Sequence, residues 1–130
     1  MRYRFMIDTQ REEMKNITRT VADCIKKSGV QDGICTVFCP HTTAAITINE
    51  NADPDVVHDL LYALRETYPD RREFRHMEGN SAAHLKSSVL GASETILIEG
   101  ARPLLGTWQG IYFCEFDGPR RRTYWVDVRE

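Results

Sequence analysis

Between Gly110 and Phe116 the apolar side chains alternate, with Ile111 and Phe113 on one side and Tyr112 and Cys114 on the other. That is the two-residue period of a sheet, and it sets the frame for the rest of the chain. Glu94 to Glu99 and Arg122 to Val128 also read as strands, so strands cluster late. Earlier segments carry a different rhythm. Ile17, Val21, Cys24 and Ile25 fall at i, i+4, i+7 and i+8, one face of an amphipathic helix that follows a first strand, Tyr3 to Asp8. Lys26 and Lys27 suit that helix's C-terminus, and Gly29 can end it. Gly33 to Cys39 and Thr43 to Asn49 read as strands interrupted by Pro40. A second helix starts clearly: Asp53 is a good N-cap, Pro54 stands at the first helical position and Asp55 complements the positive end. Its buried stripe is Val56, Val57, Leu60, Leu61 and Leu64. Tyr68 to Asn80 is polar and reads as a loop. Asn80 or Ser81 then caps a short helix that contains His84 and ends near Gly91. Two longer helices, one short helix and late strands predict an α+β fold with largely antiparallel sheet.

A chain of 130 residues fits one domain, 1–130, large enough to bury a core without disulfides or metals. The formal net charge of -2 gives no reason to expect nucleic acid or an anionic membrane as partner. No apolar run approaches the ~18–20 residues of a membrane helix, and MRYRFMIDTQRE lacks a signal-peptide core, so a cytoplasmic location is expected. Cys24, Cys35, Cys39 and Cys114 show no CxxC spacing. Cys35 and Cys39 share a strand face about 13 Å apart, too far to bind one zinc, so the four are expected to be reduced and mostly structural.

The chemistry-bearing groups bracket scaffold. In "CPHTTAAITINENADPD", His41-Thr42-Thr43 enters a strand and Asn49-Glu50-Asn51 leaves it. A seven-residue strand spans roughly 23 Å, so His41 and Glu50 meet only across a bend or between subunits. His76 lies in the polar loop and His84 in the short helix, whereas His58, mid-helix, reads as structural or exposed. Three histidines from separate elements match a zinc-type site with an open fourth position, although His76-x7-His84 is not a short-range chelate. Imidazole ligands favour zinc over magnesium as a divalent ion. Glu50 can orient a histidine or move protons, or simply end a strand in solvent. Glu115 shares a face with Ile111 and Phe113, so it sits at the rim or has a partner. Asp117-Gly118-Pro119 is a turn first. Arg120 and Arg122 share a strand face and either clamp a phosphate or pair with Glu115 and Asp117. Trp108 reads as core by default, and Gln109 as a buried amide that needs partners. Lys86 points ~200° away from His84 around the helix, so it forms a salt bridge or serves a site completed by a neighbouring subunit.

With His41-Thr42-Thr43-Ala44-Ala45, "NEN", "NSAAHLKSS", "GTWQ" and "EFDGPRRR" in order, the chain resembles the YjbQ-like family from about residue 5 to 128. The resemblance implies an α+β domain with a β-sandwich-like core, cytoplasmic and assembled as a homotrimer. It also implies a secondary thiamine-phosphate synthase, a transferase that joins a pyrimidine diphosphate to a thiazole phosphate with release of pyrophosphate. By similarity the functional cluster is His41, Glu50, His76, His84, Trp108, Gln109, Asp117 and Arg120. Phosphate-bearing substrates suit Arg120, Arg122, Lys86 and the hydroxyls of Thr42 and Thr43. No glycine-rich phosphate loop or aspartate cluster for magnesium is present. Three readings follow. One is an enzyme with a His-based metal or anion site acting on a small phosphorylated or anionic molecule. Another is a metal-dependent hydrolase or lyase, and the third a non-catalytic homotrimeric binding protein.

Overall fold

In the computed structural model, which describes residues 1–130, two antiparallel sheets face each other across an apolar core. In chain order the elements are β1 (Arg2–Asp8), β2 (Glu13–Asn16), α1 (Thr18–Ser28), β3 (Gly33–Phe38), β4 (Ala44–Glu50) and α2 (Pro54–Thr67). There follow α3 (Ser81–Leu90), β5 (Ser93–Glu99), β6 (Arg102–Pro103), β7 (Gln109–Glu115) and β8 (Arg121–Arg129). The five-stranded sheet runs β1-β8-β3-β5-β6, and the three-stranded sheet runs β2-β7-β4. The α+β, sandwich-like expectation therefore holds, though α3 is ten residues long against eleven for α1, so it is not a distinctly short helix.

Alternation decides which side chains meet. Cys35, Val37, Ile96, Ile98, Tyr124, Val126 and Val128 point inward from the larger sheet, and Ala44, Ile46, Ile111 and Phe113 from the smaller. Helix α1 closes the side of this core with Ile17, Val21, Cys24 and Ile25, the face that the sequence period marks. The opposite face of the small sheet carries Met14, Ala45, Tyr112 and Cys114 into a second cluster with Ala83 and Phe116. Helix α2 covers it with Val57, Leu60, Leu61 and Leu64, yet no residue of α2 is fully buried. The outer face of the large sheet is open, with Met6, Ile34, Phe38 and Leu97 each at least 41% exposed.

Helix starts show which caps are local. Asp53 accepts the Asp55 amide at 2.9 Å, as its position ahead of Pro54 predicts. Asn80 precedes α3 but does not cap it with its side chain; Asp70, twelve residues before Ala82, accepts the Ala82 amide instead. The polar loop from Tyr68 thus folds back to finish the helix it precedes. Between β1 and α1 the chain adds a strand where the sequence suggests none: Glu13 to Asn16 pairs with β7. All four cysteines are free and buried.

Candidate functional site

The register of the small sheet separates the candidate residues into two groups. Ala44 pairs with Glu115 and Glu50 pairs with Gln109. Six residue steps lie between those pairs, so the ends stand roughly 20 Å apart at ~3.3 Å per residue. Glu50, Trp108 and Gln109 occupy one end. His41, Thr43, Asp117, Arg120 and Arg122 occupy the other, with α3 alongside through the bond from the Ser87 hydroxyl to the Ala44 carbonyl, 2.7 Å. Within one subunit the two groups do not form a common pocket.

At the first end the side chains are mostly solvent-facing. Trp108 is 63% exposed. Gln109 is exposed too, so neither is core. The Gln109 Oε1 accepts the Gly106 amide at 2.8 Å and ties its own loop. Glu50 Oε2 accepts the Ala52 amide at 3.0 Å, and the Glu50 carbonyl accepts from the Tyr112 hydroxyl at 2.8 Å. Asn51 receives a bond from the Asn16 amide, which links this end to β2.

A buried ion pair anchors the second end. Arg122 donates through Nε to Glu115 Oε1 at 2.7 Å and through Nη2 to Oε2 at 2.5 Å. Thr9 Oγ1 donates to Oε1 at 2.6 Å and the Asp117 amide to Oε2 at 3.0 Å. Glu115 is wholly buried. Burial alone would raise its pKa, but the Arg122 bonds, with those from Thr9 and the Asp117 amide, outweigh it and hold the carboxyl below the ordinary value. Arg122 also donates to Thr43 Oγ1 at 2.8 Å. Arg120 lies ahead of β8 and curls back on Asp117, contacting its carbonyl at 2.8 Å and its carboxylate at 2.9 Å. The two guanidinium groups are thus not a free pair on one strand face: each is matched to a carboxylate, as the second sequence alternative allows. Thr42 is exposed, whereas Thr43 is buried.

Lys86 follows the same pattern. It is 6% exposed and meets Glu12 Oε2 at 3.1 Å. Of the two roles open to it, it takes the salt bridge. A polar cavity of about 230 Å³ lies here, lined by Arg11, Glu12, Asp70, Asn80, Lys86 and Asp117 among others. Asn80 Nδ2 donates to Asp117 Oδ2 at 2.9 Å, while its Oδ1 is buried with no donor. Asp117 therefore joins Asn80 to Arg120.

The histidines divide. His76 and His84 stand edge to face with ring centroids 5.5 Å apart, one from the polar loop and one from the face of α3 one turn beyond Asn80. His41 is elsewhere: its Nε2 accepts the Thr123 amide at 3.0 Å. A backbone N–H can only donate, so the neutral ring carries its proton on Nδ1. Held this way, His41 offers a hydrogen-bond donor and not a ligand lone pair. Burial, then the Arg122 charge, lowers its pKa, and the Thr123 bond, accepted by the neutral ring, favours the same form. No group of three or more His, Cys, Asp or Glu side chains converges to hold a metal. A three-histidine zinc centre inside one subunit does not fit this arrangement.

Thr9, Glu12 and Asp70, which help to tie these charged groups together, carry no local signal in the sequence, and Asn80 carries only that of a helix cap, in "NSAAH". No helix is long and apolar enough to cross a membrane.

Residues 3–130 match the family described as UPF0047 protein YjbQ-like. The chain is 57% identical over 121 residues to the UPF0047 protein YugU of Bacillus subtilis, covering 92% of each. It is 53% identical over 129 residues to a UPF0047 protein of Methanocaldococcus jannaschii, covering 98% of this chain and 94% of that one. Its fold is similar to the crystal structure of an uncharacterized yjbq/upf0047 protein from Clostridium acetobutylicum, at TM-score 0.95 and 49% identity over 98% and 99% of the two chains. A YbjQ-like protein of unknown function from Sulfolobus solfataricus gives TM-score 0.93 at 32% identity, over 98% and 95%. Near-complete coverage in sequence and fold has one meaning: the chain belongs to the YjbQ/UPF0047 family.

Proposed function

We propose that this protein is a small enzyme that uses His76 and His84 for acid–base work on a small polar or phosphorylated substrate, in sites completed between subunits. The observation that carries this reading is the imidazole pair, rings 5.5 Å apart, with His76 exposed and His84 half-buried, so that both are open to a substrate from solvent. Imidazole titrates near neutral pH and serves as both acid and base. His41, with its Nδ1–H directed away from Thr123, adds a donor at the same end of the sheet.

Assembly supplies what one subunit lacks. Glu50, Trp108 and Gln109 lie at the far end of the small sheet, and a homotrimer can bring that end of one subunit to the histidine end of the next. The apolar outer face of the large sheet, with Met6, Ile34, Phe38 and Leu97 exposed, supports association between copies. A divalent ion, zinc before magnesium, belongs to this reading only as one held by His76 and His84 with a further ligand from a neighbouring subunit.

By resemblance, the reaction to test first is thiamine-phosphate synthesis, though none of the relatives named above carries an activity in its name. The competing reading is a non-catalytic homotrimeric binding protein, favoured by one observation: Arg120, Arg122 and Lys86 are already paired with carboxylates in the chain. A hydrolase or lyase remains the alternative chemistry. The deciding experiment incubates the protein with a pyrimidine diphosphate and a thiazole phosphate, with and without chelator, and measures thiamine phosphate and pyrophosphate. Metal per chain and sedimentation are followed for wild type, His84→Ala and Glu50→Gln. Turnover lost in both variants with the oligomer intact supports the reading. No turnover, together with dissociation of His84→Ala, sinks it in favour of the binding protein.

A further inference from the structure

Strand β1 is an edge of the large sheet, and a groove of about 610 Å³ runs along it. Its walls are Arg2, Tyr3, Arg4 and Phe5 of β1 and Thr20, Asp23, Cys24 and Lys27 of α1. A cavity on one face of a strand touches alternate residues; touching four in succession means that it follows the strand's free edge. The α1 residues fall at i, i+3, i+4 and i+7, one helical face turned toward that edge.

The ladder fixes which backbone groups are free there. Met1 and Val128 exchange bonds at 2.6 and 2.7 Å, and the Thr9 amide reaches the Arg120 carbonyl at 2.9 Å. Antiparallel alternation then turns the odd residues of β1 toward β8 and the N–H and C=O groups of Arg2, Arg4 and Met6 outward. Charge on the groove is unbalanced. Asp127 serves both Arg2 and Arg129, while Arg4 contacts only the Met6 sulfur at 3.8 Å. Lys27 forms no salt bridge, and Asp23 is the one acid in the lining. Tyr3 and Phe5, half-buried, offer an aromatic inner wall.

We propose that the β1–α1 groove binds an extended acidic peptide segment of a partner protein as an added strand, its carboxylates beside Arg2 and Arg4 and its alternate apolar side chains against Tyr3, Phe5 and Cys24. Main-chain bonds to the free edge supply affinity, and the alternation supplies selectivity. Charged residues on an edge also discourage pairing between copies. The facing residues of α1 form a wall that makes this edge a groove.

The test uses three labelled pentapeptides: alternating Glu and Val, alternating Lys and Val, and the Glu peptide with a central proline. Binding is read by fluorescence anisotropy and mapped by amide hydrogen exchange. The Glu peptide is expected to slow exchange at Arg2, Arg4 and Met6 and to bind roughly tenfold more tightly than either control. Arg4→Glu, exposed and outside the core, should reverse the preference to the Lys peptide. Absence of binding, indifference to charge or proline, or protection at another site each overturns the proposal. So does slow exchange of those amides in the free protein that strengthens with concentration, which would make a second copy the occupant.

Discussion

Arg122 closes both oxygens of Glu115 in a two-bond clamp at 2.7 and 2.5 Å, and a third bond from the same guanidinium, 2.8 Å long, reaches Thr43 at the entry to β4. One buried pair thus fixes β8, β7 and the His41-Thr42-Thr43 segment to one another. Removing one partner leaves the other charge buried and unmatched. Arg122→Met should cost ~3–5 kcal/mol in denaturant titration, and Glu115→Leu in that background should recover part of it. A single substitution that leaves the urea midpoint unmoved would show that the pair is not structural.

Acid should weaken the fold in two pH windows with a stated order. The His41 pKa is lowered from 6.5, so the unfolded chain takes up that proton first. Its contribution is complete above pH 6.5 and begins to fade below it. Glu115, lowered from 4.5, contributes fully above pH 4.5 and loses its share as pH falls through the depressed native value. Urea midpoints measured against pH should decline in those two windows. His41→Gln, whose longer side chain can place an amide oxygen where Nε2 accepts the Thr123 N–H, should remove the first decline and keep the second.

The thiols should be silent in the native state. Burial raises all four, taking Cys35 to about 12 and Cys39 to about 11. At pH 8 an aromatic disulfide reagent should titrate none of them until denaturant is added and then all four. Rapid native labelling of any one would contradict the packing around it.

Gly118 sits where no side chain fits. A Cβ there would stand 1.9 Å from the Gln10 carbonyl oxygen, and the Gly118 amide donates to the Arg11 carbonyl at 2.9 Å. Gly118→Ala should lower stability by ~1–3 kcal/mol by forcing the Asp117 turn off the Gln10–Arg11 backbone. Because that turn carries Asp117 and Arg120, turnover in the proposed assay should fall with it.

Local patterns in the sequence carried local structure. The α1 face from Ile17 to Ile25, the Asp53 cap and the alternation at Ile111 to Cys114 all describe contacts within a few residues, and each is found. The need of Glu115 for a partner was legible because a carboxylate on an apolar face has few options. Strand β2 was not legible: in Glu13-Met14-Lys15-Asn16 only Met14 turns inward, and the segment owes its form to pairing with β7. Strand β6, two residues long, likewise exists through β5. The exposure of Gln109 and the pairing of Lys86 with Glu12, 74 residues away, depend on tertiary neighbours that no short window contains. The candidate residues were named in sequence, but their division between two ends of one sheet needed the β4–β7 register.

The pairing of β1 with β8 also sets a timetable. Asp8 stands opposite Arg121 and Arg2 opposite Asp127. On a ribosome adding ~5–20 residues per second, the chain between Asp8 and Arg121 takes on the order of 5–25 s to make. Throughout that interval Tyr3, Phe5 and Ile7 have been synthesised without the strand they lie against. The large sheet can close only when β8 emerges, so β1 stays without its partner throughout that interval, and closure of the sheet waits on a pairing of high contact order.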